Sequence, residues 1–534
     1  MYKRRGCLIS DKKIHNFIIR KGFRMERYFI KKEKINHIDN SISGYEKAIT
    51  MSSSLILALC IDRFFIDKYW GISVPIFTLV ALAFFLWSVK SIGKEESSVL
   101  NFKENNVLKL TILTSMILIA ITFVLFSNRV LAFFNTIFII GTFTAYAIIK
   151  TNRDVLEDAC ILKKVIERLI PRVFANFLKP FMFLNELIKK MSKIEVNSEV
   201  GKVLKGIVLA LPILVVILIL LSSADMIFNY YLSMVFTIFD NFQLFDLIPH
   251  LIVITLFFLY IFGFIWSFKY EGIYEVSKTK QLFNFEALTV MPVLLMLNVV
   301  YLIFTVIQFS YLYGGGSAVL PLSFTYAEYA RRGFFELVTV TVINFTIILC
   351  TIKFMKRENV KLEKYNNIFL SLLIIFNFNM LFSAHYKMSL YENTYGYTYL
   401  RVFVHIFMLL LFILFTIALL GIWVKKIPIA KLCIISSIAM YVVLNYINVD
   451  VFIVKKNIEL YNRTQNLDAN YLGHLSYDTL PYLIQFTLND NSEIGKELKR
   501  KLEDRTETVL DKQYNWYEFN YSRYKGKKIL EKLE

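Results

Sequence analysis

No Cys-x-x-Cys or His-Glu-x-x-His spacing occurs in this chain, and its five cysteines, Cys7, Cys60, Cys160, Cys350 and Cys433, stand far apart. A structural zinc module needs thiolate or imidazole ligands at short fixed spacings, so no metal site is expected. Disulfides are not expected either, because the cysteines fall in apolar segments or in segments assigned below to the cytoplasm. None of the Gly-Lys pairs has a glycine five residues upstream, which excludes a phosphate-cradling P-loop. Ser383 and Ser389 flank His385, but no Gly-x-Ser-x-Gly elbow accompanies them. Proline- or glycine-rich linkers, low-complexity tracts and repeats of fixed period are absent. The first fifty residues are basic and polar with no apolar run, so a secretory signal is not expected and the N-terminus is expected to stay in the cytoplasm.

What the chain has in abundance is apolar surface. It is 56% apolar, with 49 Phe and 31 Tyr, and its mean hydropathy is +0.52, which places it in the membrane class. Apolar runs near the ~20 residues that cross ~30 Å of hydrocarbon recur at roughly 49–66, 71–89, 108–126, 130–149, 203–222, 248–268, 287–309, 333–352, 366–384, 400–424 and 429–447. The expected fold is all-α, a polytopic transmembrane helical bundle of about eleven spans with a small C-terminal helical module. The domain reading is a basic cytoplasmic segment 1–48, a transmembrane domain 49–447 with an amphipathic cytoplasmic insert 150–205, and an extracytoplasmic helical domain 448–534.

A net charge of +19 could serve nucleic acid or a membrane surface, and the distribution of the basic residues decides between them. With the N-terminus inside and an odd number of spans, the inside segments hold most of the Lys and Arg and the short outside loops only a few. This is the positive-inside pattern; membrane lipids are the expected partners and nucleic acid is not. The insert carries Lys163, Lys164, Arg168, Arg172, Lys189, Lys190 and Lys193 among amphipathic runs. It reads as a helical pair along the cytoplasmic leaflet, with a solvated linker as the alternative. The loop from Ser222 to Pro249 has Asp225, Asp240 and Asp246 and no Lys or Arg, and is expected outside.

Two polar runs on the expected outer side carry the candidate site. In the first, Pro321 and the capping-box spacing of Thr325 and Glu328 predict a helix start. Glu328, Arg332 and Glu336 then share one helix face, with Arg331 on an adjoining one. An arginine at the bilayer centre costs about 2.5–3.5 kcal/mol on insertion scales, so the cluster must sit at an interface, pair internally or line a polar cavity. Three readings stay open: an interfacial stripe, an Arg331 that faces a cavity and binds phosphate or carboxylate, or a subunit contact. The second run, Ser383 to Arg401, is expected to join two spans as a loop bearing His385, Lys387, Tyr391, Tyr395 and Arg401. His385 and His405 are placed to approach each other, without an evident third ligand. The amides Asn298, Gln308, Asn344, Asn377, Asn379 and Asn445 are expected to hydrogen-bond between helices.

Gln308-Phe-Ser-Tyr-Leu-Tyr-Gly-Gly and Tyr326-Ala-Glu-Tyr-Ala-Arg-Arg-Gly-Phe-Phe-Glu-Leu337 are followed by Tyr391, Tyr395-Gly396, Thr398 and Arg401. Asn448, Asp450, Asn457, Leu467-Asp468, Tyr471-Leu472, Leu475-Ser476, Asp478 and Pro481 complete the pattern. Together, over about the second half of the chain, these residues resemble the bacterial membrane-protein family catalogued as domain of unknown function 4173. The family pattern often has arginine at Tyr399 and proline at Val449, so neither an essential guanidinium nor a rigid turn is carried over to those positions. The resemblance implies a bacterial multi-pass membrane protein with a C-terminal appendage and no established activity.

In that appendage Asp468 and Ser476 suit helix starts, and a charged helix is expected from Asn491-Ser-Glu to about Gln513. The expected function is a non-enzymatic sensor or accessory scaffold of the bacterial inner membrane, without a cofactor. A ligand would meet Glu328, Arg331, Arg332, Glu336, His385, Lys387, Tyr391, Tyr395 and Arg401, and a protein partner would meet the C-terminal helices. The alternative is an intramembrane enzyme or transporter handling an anionic lipid or lipid-linked substrate. The topology is directly testable: cysteines introduced at 240 and 315 are expected to react with an impermeant reagent in intact cells and one at 190 is not, and the reverse pattern rejects the orientation.

Overall fold

The computed structural model describes residues 42–90, 102–151, 161–191, parts of 210–231, 244–268, 285–312, 334–356, 360–510 and 513–531. Among them the chain is helical, with a single bridge, Phe285 to Met355, in place of any strand. Nine helices among the described residues are long and apolar enough to cross a membrane, and Ser73–Val89 is a shorter apolar helix. The remaining expected span, 203–222, lies largely outside the described residues.

Two compact units contain the described residues. The first is drawn from 1–68, 79–97 and 147–275. Its long helices are α1 (Gly44–Phe65), the greater part of α2 (Ser73–Lys90) and, later in the chain, Leu244–Ser267. The other unit takes α3 (Phe102–Leu125) and most of α4 (Arg129–Thr151). The expected amphipathic pair of the insert is three helices, α5 (Ile161–Leu169), α6 (Pro171–Asn176) and α7 (Lys179–Met191). Pro171 and Pro180 explain the extra break, since a residue without an N–H is tolerated in a first turn and not within a helix. Val165, Arg168, Val173 and Phe183 are buried, while Leu162, Ile166, Ile170, Phe174 and Met182 leave an apolar face exposed. The buried face meets α8 (Leu244–Ser267), where Phe183 packs with Phe262 and Trp266. Arg168 is satisfied by the Ser267 carbonyl at 2.5 Å and by the Phe268 ring at 4.2 Å.

In the second unit α9 (Ala287–Leu312), α10 (Phe334–Phe354), α11 (Val360–Tyr395), α12 (Tyr399–Trp423) and α13 (Ile429–Tyr446) follow in order. α11 packs against α9, α10 and α12, and α13 links α12 to α3. The expected interhelical amide bonds are present. Asn298 donates to the Phe369 carbonyl at 3.0 Å, Tyr301 to Asn344 at 2.8 Å, and Asn344 to Asn377 at 3.0 Å. Gln308 donates to Ser383 at 2.7 Å, and Asn135 to Asn445 at 2.7 Å. Such bonds replace water that lipid cannot supply.

Helix α11 corrects the expected loop at 383–401. Its 36 residues run about 54 Å, well beyond the ~30 Å of hydrocarbon. The polar run is helical through Tyr395 because Met388 and Glu392 turn inward, and Ser389 and Thr394 bond back to carbonyls one turn earlier. Only Gly396 to Thr398 form the turn into α12.

Beyond the last span lie α14 (Val449–Thr464), α15 (Ala469–Gly473), α16 (Leu480–Asn489), α17 (Glu493–Leu510) and α18 (Tyr521–Leu530). Asp468 caps α15 by accepting from the Tyr471 amide at 2.8 Å, as its sequence position predicts. Ser476 precedes a 3-10 turn over Tyr477–Thr479 without a side-chain cap, and α17 is described to Leu510, with residues 511 and 512 outside the described residues. Ile453, Val454, Leu472, Leu480, Leu483 and Leu498 form a core that continues into Val402 of α12 and Leu131 of α4. Leu483 is fully buried there. Leu483→Ala is expected to cost about 2–5 kcal/mol, read as a lower unfolding midpoint of the full chain in detergent; an unchanged midpoint rejects this core.

Candidate functional site

The α11–α12 hairpin gathers most of the described members of the expected cluster. Arg401 stacks over the Tyr391 ring at 4.3 Å and donates to the Tyr395 carbonyl at 3.0 Å and to the Gly396 carbonyl. Tyr391 and Tyr395 pack with ring centroids 4.8 Å apart. Glu336, in the first turn of α10, is within electrostatic reach of Lys387. His385 and His405 meet, Nδ1 to Nδ1, at 2.9 Å, and His405 Nε2 lies 2.9 Å from Glu392 Oε2. Glu328, Arg331 and Arg332 lie outside the described residues.

A second cluster sits where α3, α11 and α13 end, and it contains polar residues that were not among the expected site residues. Asn448 adopts φ 54° and caps α14, which turns Asp450 inward. Asp450 Oδ1 accepts from Asn128 Nδ2 at 2.8 Å and Oδ2 from the Ser476 amide at 3.3 Å. Burial pushes its carboxyl above the ordinary aspartate range, although Ser476 and Tyr399 also hydrogen-bond to it. Beside it Asp478 Oδ2 accepts from the Ser127 amide at 3.1 Å and from the Ser476 hydroxyl at 3.2 Å. Arg505 donates to the Leu475 carbonyl at 2.8 Å and covers the Tyr477 ring at 4.3 Å, and burial lowers its proton affinity.

Asn457 completes the joint. It accepts from the Tyr397 amide at 2.9 Å and donates to the Tyr397 carbonyl at 2.9 Å, so the α11–α12 turn is bonded to α14 on both polar groups of one residue. Gly396 has φ 79°, and a Cβ there would meet Asn457 Oδ1 at 2.5 Å; the position needs glycine for both reasons. Further along, Asn520 donates to the carbonyls of Phe123 and Phe126, each at 2.8 Å, and Glu518 accepts from the Tyr69 amide at 2.8 Å. Asn128, Asn135 and Asn445 line a cavity of about 20 Å³, which has room for about one water molecule. Among the described residues no group of three His, Cys, Asp or Glu side chains could hold a metal ion.

One signal for the second cluster was present in the sequence. Asn448, Asp450, Asn457, Tyr471, Ser476 and Asp478 all stand among the motif residues, and the structure brings them to one end of the bundle. A family model described as Domain of unknown function (DUF4153) matches residues 113–486. That is well over half of the chain, and the chain belongs to this family. No curated protein and no solved structure matches it. The number that matches is 4153 and not the 4173 suggested by the motifs; what the two share is a family of unknown function.

Two outcomes test the joint. Asn457→Ala strips both polar groups of Tyr397 of their partner and is expected to cost about 1–3 kcal/mol; a midpoint equal to wild type rejects the clamp. Asp450, with a raised folded-state pKa, binds more protons folded than unfolded. Its contribution to stability is therefore greatest below the ordinary aspartate value near ~3.9 and is lost as pH rises through the raised value. The difference in unfolding midpoint between Asp450→Asn and wild type is expected to move in favour of the variant as pH rises from about 4. A constant difference would show that Asp450 does not titrate abnormally.

Proposed function

We propose that this member of a family of unknown function is a non-enzymatic membrane protein, a sensor or accessory scaffold, whose polar cluster and C-terminal helices meet a ligand and a partner. The observation that carries this reading is the joint at Asp450 and Asn457, which ties helices 448–534 to the ends of α3 and α11. A change at the hairpin turn is thereby passed to α14. In this reading Glu328, Arg331, Arg332, Glu336, His385, Lys387, Tyr391, Tyr395 and Arg401 form the ligand-facing surface. Arg401 already spends its guanidinium on the carbonyls of its own turn, which favours a scaffold over a residue held ready for an anion.

Trp516, Phe519, Tyr521 and Tyr524 are exposed on the C-terminal helices. Large rigid aromatics of this kind anchor protein interfaces. The same proposal places the protein in the bacterial cytoplasmic membrane, the N-terminus inside and 448–534 outside, with the apolar face of α5–α7 against the inner leaflet. It also keeps the narrower resemblance to domain 4173, because the motif residues Asp450, Asn457, Ser476 and Asp478 are those that build the joint.

Copurification of the tagged full chain from native membrane, followed by mass spectrometry of proteins and lipids, tests the reading. A protein partner near stoichiometric yield, reduced at least about tenfold by Trp516→Ala with Tyr521→Ala, is expected. A stoichiometric anionic lipid that Arg401→Gln removes, with no protein partner, would favour a lipid-handling enzyme or transporter instead.

A further inference from the structure

The α11–α12 hairpin contains a row of three titratable side chains with graded exposure. Glu392 is 3% exposed, His405 is partly buried, and His385 is exposed. Both ring nitrogens of His405 are engaged, Nδ1 with His385 and Nε2 with Glu392. Two imidazoles that meet nitrogen to nitrogen must be one donor and one acceptor, so a single proton lies between them. The row has two loose ends among the described residues. One is His385 Nε2 at the exposed end, and the other is Glu392 Oε1, buried and without a hydrogen-bond partner.

We propose that Glu392, His405 and His385 form a proton-binding chain that carries a proton from the exposed end of the hairpin to the buried carboxylate. In the starting arrangement His385 Nδ1–H donates to His405 Nδ1, and His405 Nε2–H donates to Glu392 Oε2. A proton from water forms an N–H bond at His385 Nε2. The His385 Nδ1–H bond then breaks as His405 Nδ1–H forms, and the His405 Nε2–H bond breaks as the Glu392 O–H forms. One proton is taken up, both rings end neutral, the carboxyl loses its charge, and no electron changes hands.

Among the described residues, the neighbouring charged groups each have another partner. Lys387 and Glu336 of α10 are within electrostatic reach of each other, and α9 contains no Asp, Glu, Lys, Arg or His. On α14, Glu459 binds Lys456 at 2.8 Å and Arg463 at 2.9 Å. Arg401 of α12 faces carbonyls rather than Glu392. The Glu392 carbonyl accepts from the Gly396 amide at 2.8 Å, and the next residue of the turn is Tyr397. Tyr397 is also the residue that Asn457 clamps. Neutralising Glu392 therefore acts on the turn that docks α14. This consequence rests on the sensor reading above, whereas the uptake of the proton does not.

Infrared difference spectra of the full chain in lipid nanodiscs, between about pH 8 and about pH 5, test the chain of transfers. A carboxylic-acid carbonyl band is expected on acidification. Glu392→Gln is expected to abolish it, and His385→Gln to shift its midpoint by at least about one pH unit, a tenfold change in proton affinity. A band that survives Glu392→Gln, or a midpoint that ignores His385→Gln, overturns the proposal. Where a variant fails to fold, nitrogen NMR of histidine-labelled wild type decides: two imidazoles that titrate jointly support the chain, and independent titration near ~6.5 overturns it. Amide hydrogen exchange over 448–534, followed in the same pH steps, separates the two ideas. A Glu392 band without any change in exchange supports proton binding and overturns the sensor role.

Discussion

The carboxylate of Asp450 accepts hydrogen bonds from Asn128 before α4 and from Ser476 in the C-terminal helices, with Tyr399 of α12 as a further donor. Those bonds, with the Asn457 clamp on Tyr397, tie the helices after the last span to the ends of α3 and α11. A buried carboxylate without such donors costs several kcal/mol, so the elements that bring the donors must arrive together or not at all. The core follows the same logic. Val449, Ile453 and Val454 on α14 can be buried against Val402 and Leu131 only when Asp450 on the same helix is satisfied. The polar joint therefore sets the register in which the apolar surfaces meet, while burial of those surfaces supplies the larger share of the stabilisation.

Inside the spans the same requirement has a different answer. Asn344 receives the Tyr301 hydroxyl and donates to Asn377, and Asn377 donates in turn to the Leu373 carbonyl, so each amide hands its deficit to the next. Amides suit this use because one side chain both donates and accepts, and no charge has to be carried into hydrocarbon. The outward faces need no such device. α9 leaves Met296, Val300, Ile303 and Val306 exposed while Leu294 and Asn298 face α11. An apolar face of that width is stable in lipid and would be a liability in water.

Span positions were legible because hydropathy over about twenty residues averages out local detail. Nine of the expected runs reappear as long apolar helices, and 71–89 as a shorter one. The extension of α11 to Tyr395 was not legible. Its last three turns are polar in sequence, and only the inward Met388 and Glu392, at helical spacing, show that the period continues. His385 and His405 could be brought near each other from span order alone, but Glu392 could not, because its role depends on which way the continued helix turns it. Asp450 looked like one acid among many in a polar tail. Its partners Asn128 and Ser476 are 322 and 26 positions away, so no local pattern could reveal the joint; its presence among the motif residues was the available trace.

The two ends of the α11–α12 hairpin are closed by pairs of different kinds. At one end Lys425 meets Glu363 at 3.0 Å, with the lysine largely exposed. At the other His405 meets Glu392 at 2.9 Å, with the carboxylate buried. An exposed ammonium–carboxylate pair contributes only about 0–1 kcal/mol. In an imidazole–carboxylate pair either partner can donate, because an imidazole nitrogen is a donor or an acceptor. The ammonium pair lies at the end where Asn366 donates to the Ala287 carbonyl of α9 at 2.9 Å, and the imidazole pair lies beside Gly396 and Tyr397, where Asn457 holds α14. Under the proton chain proposed above, the end of the hairpin that responds to acid is the one joined to the C-terminal helices.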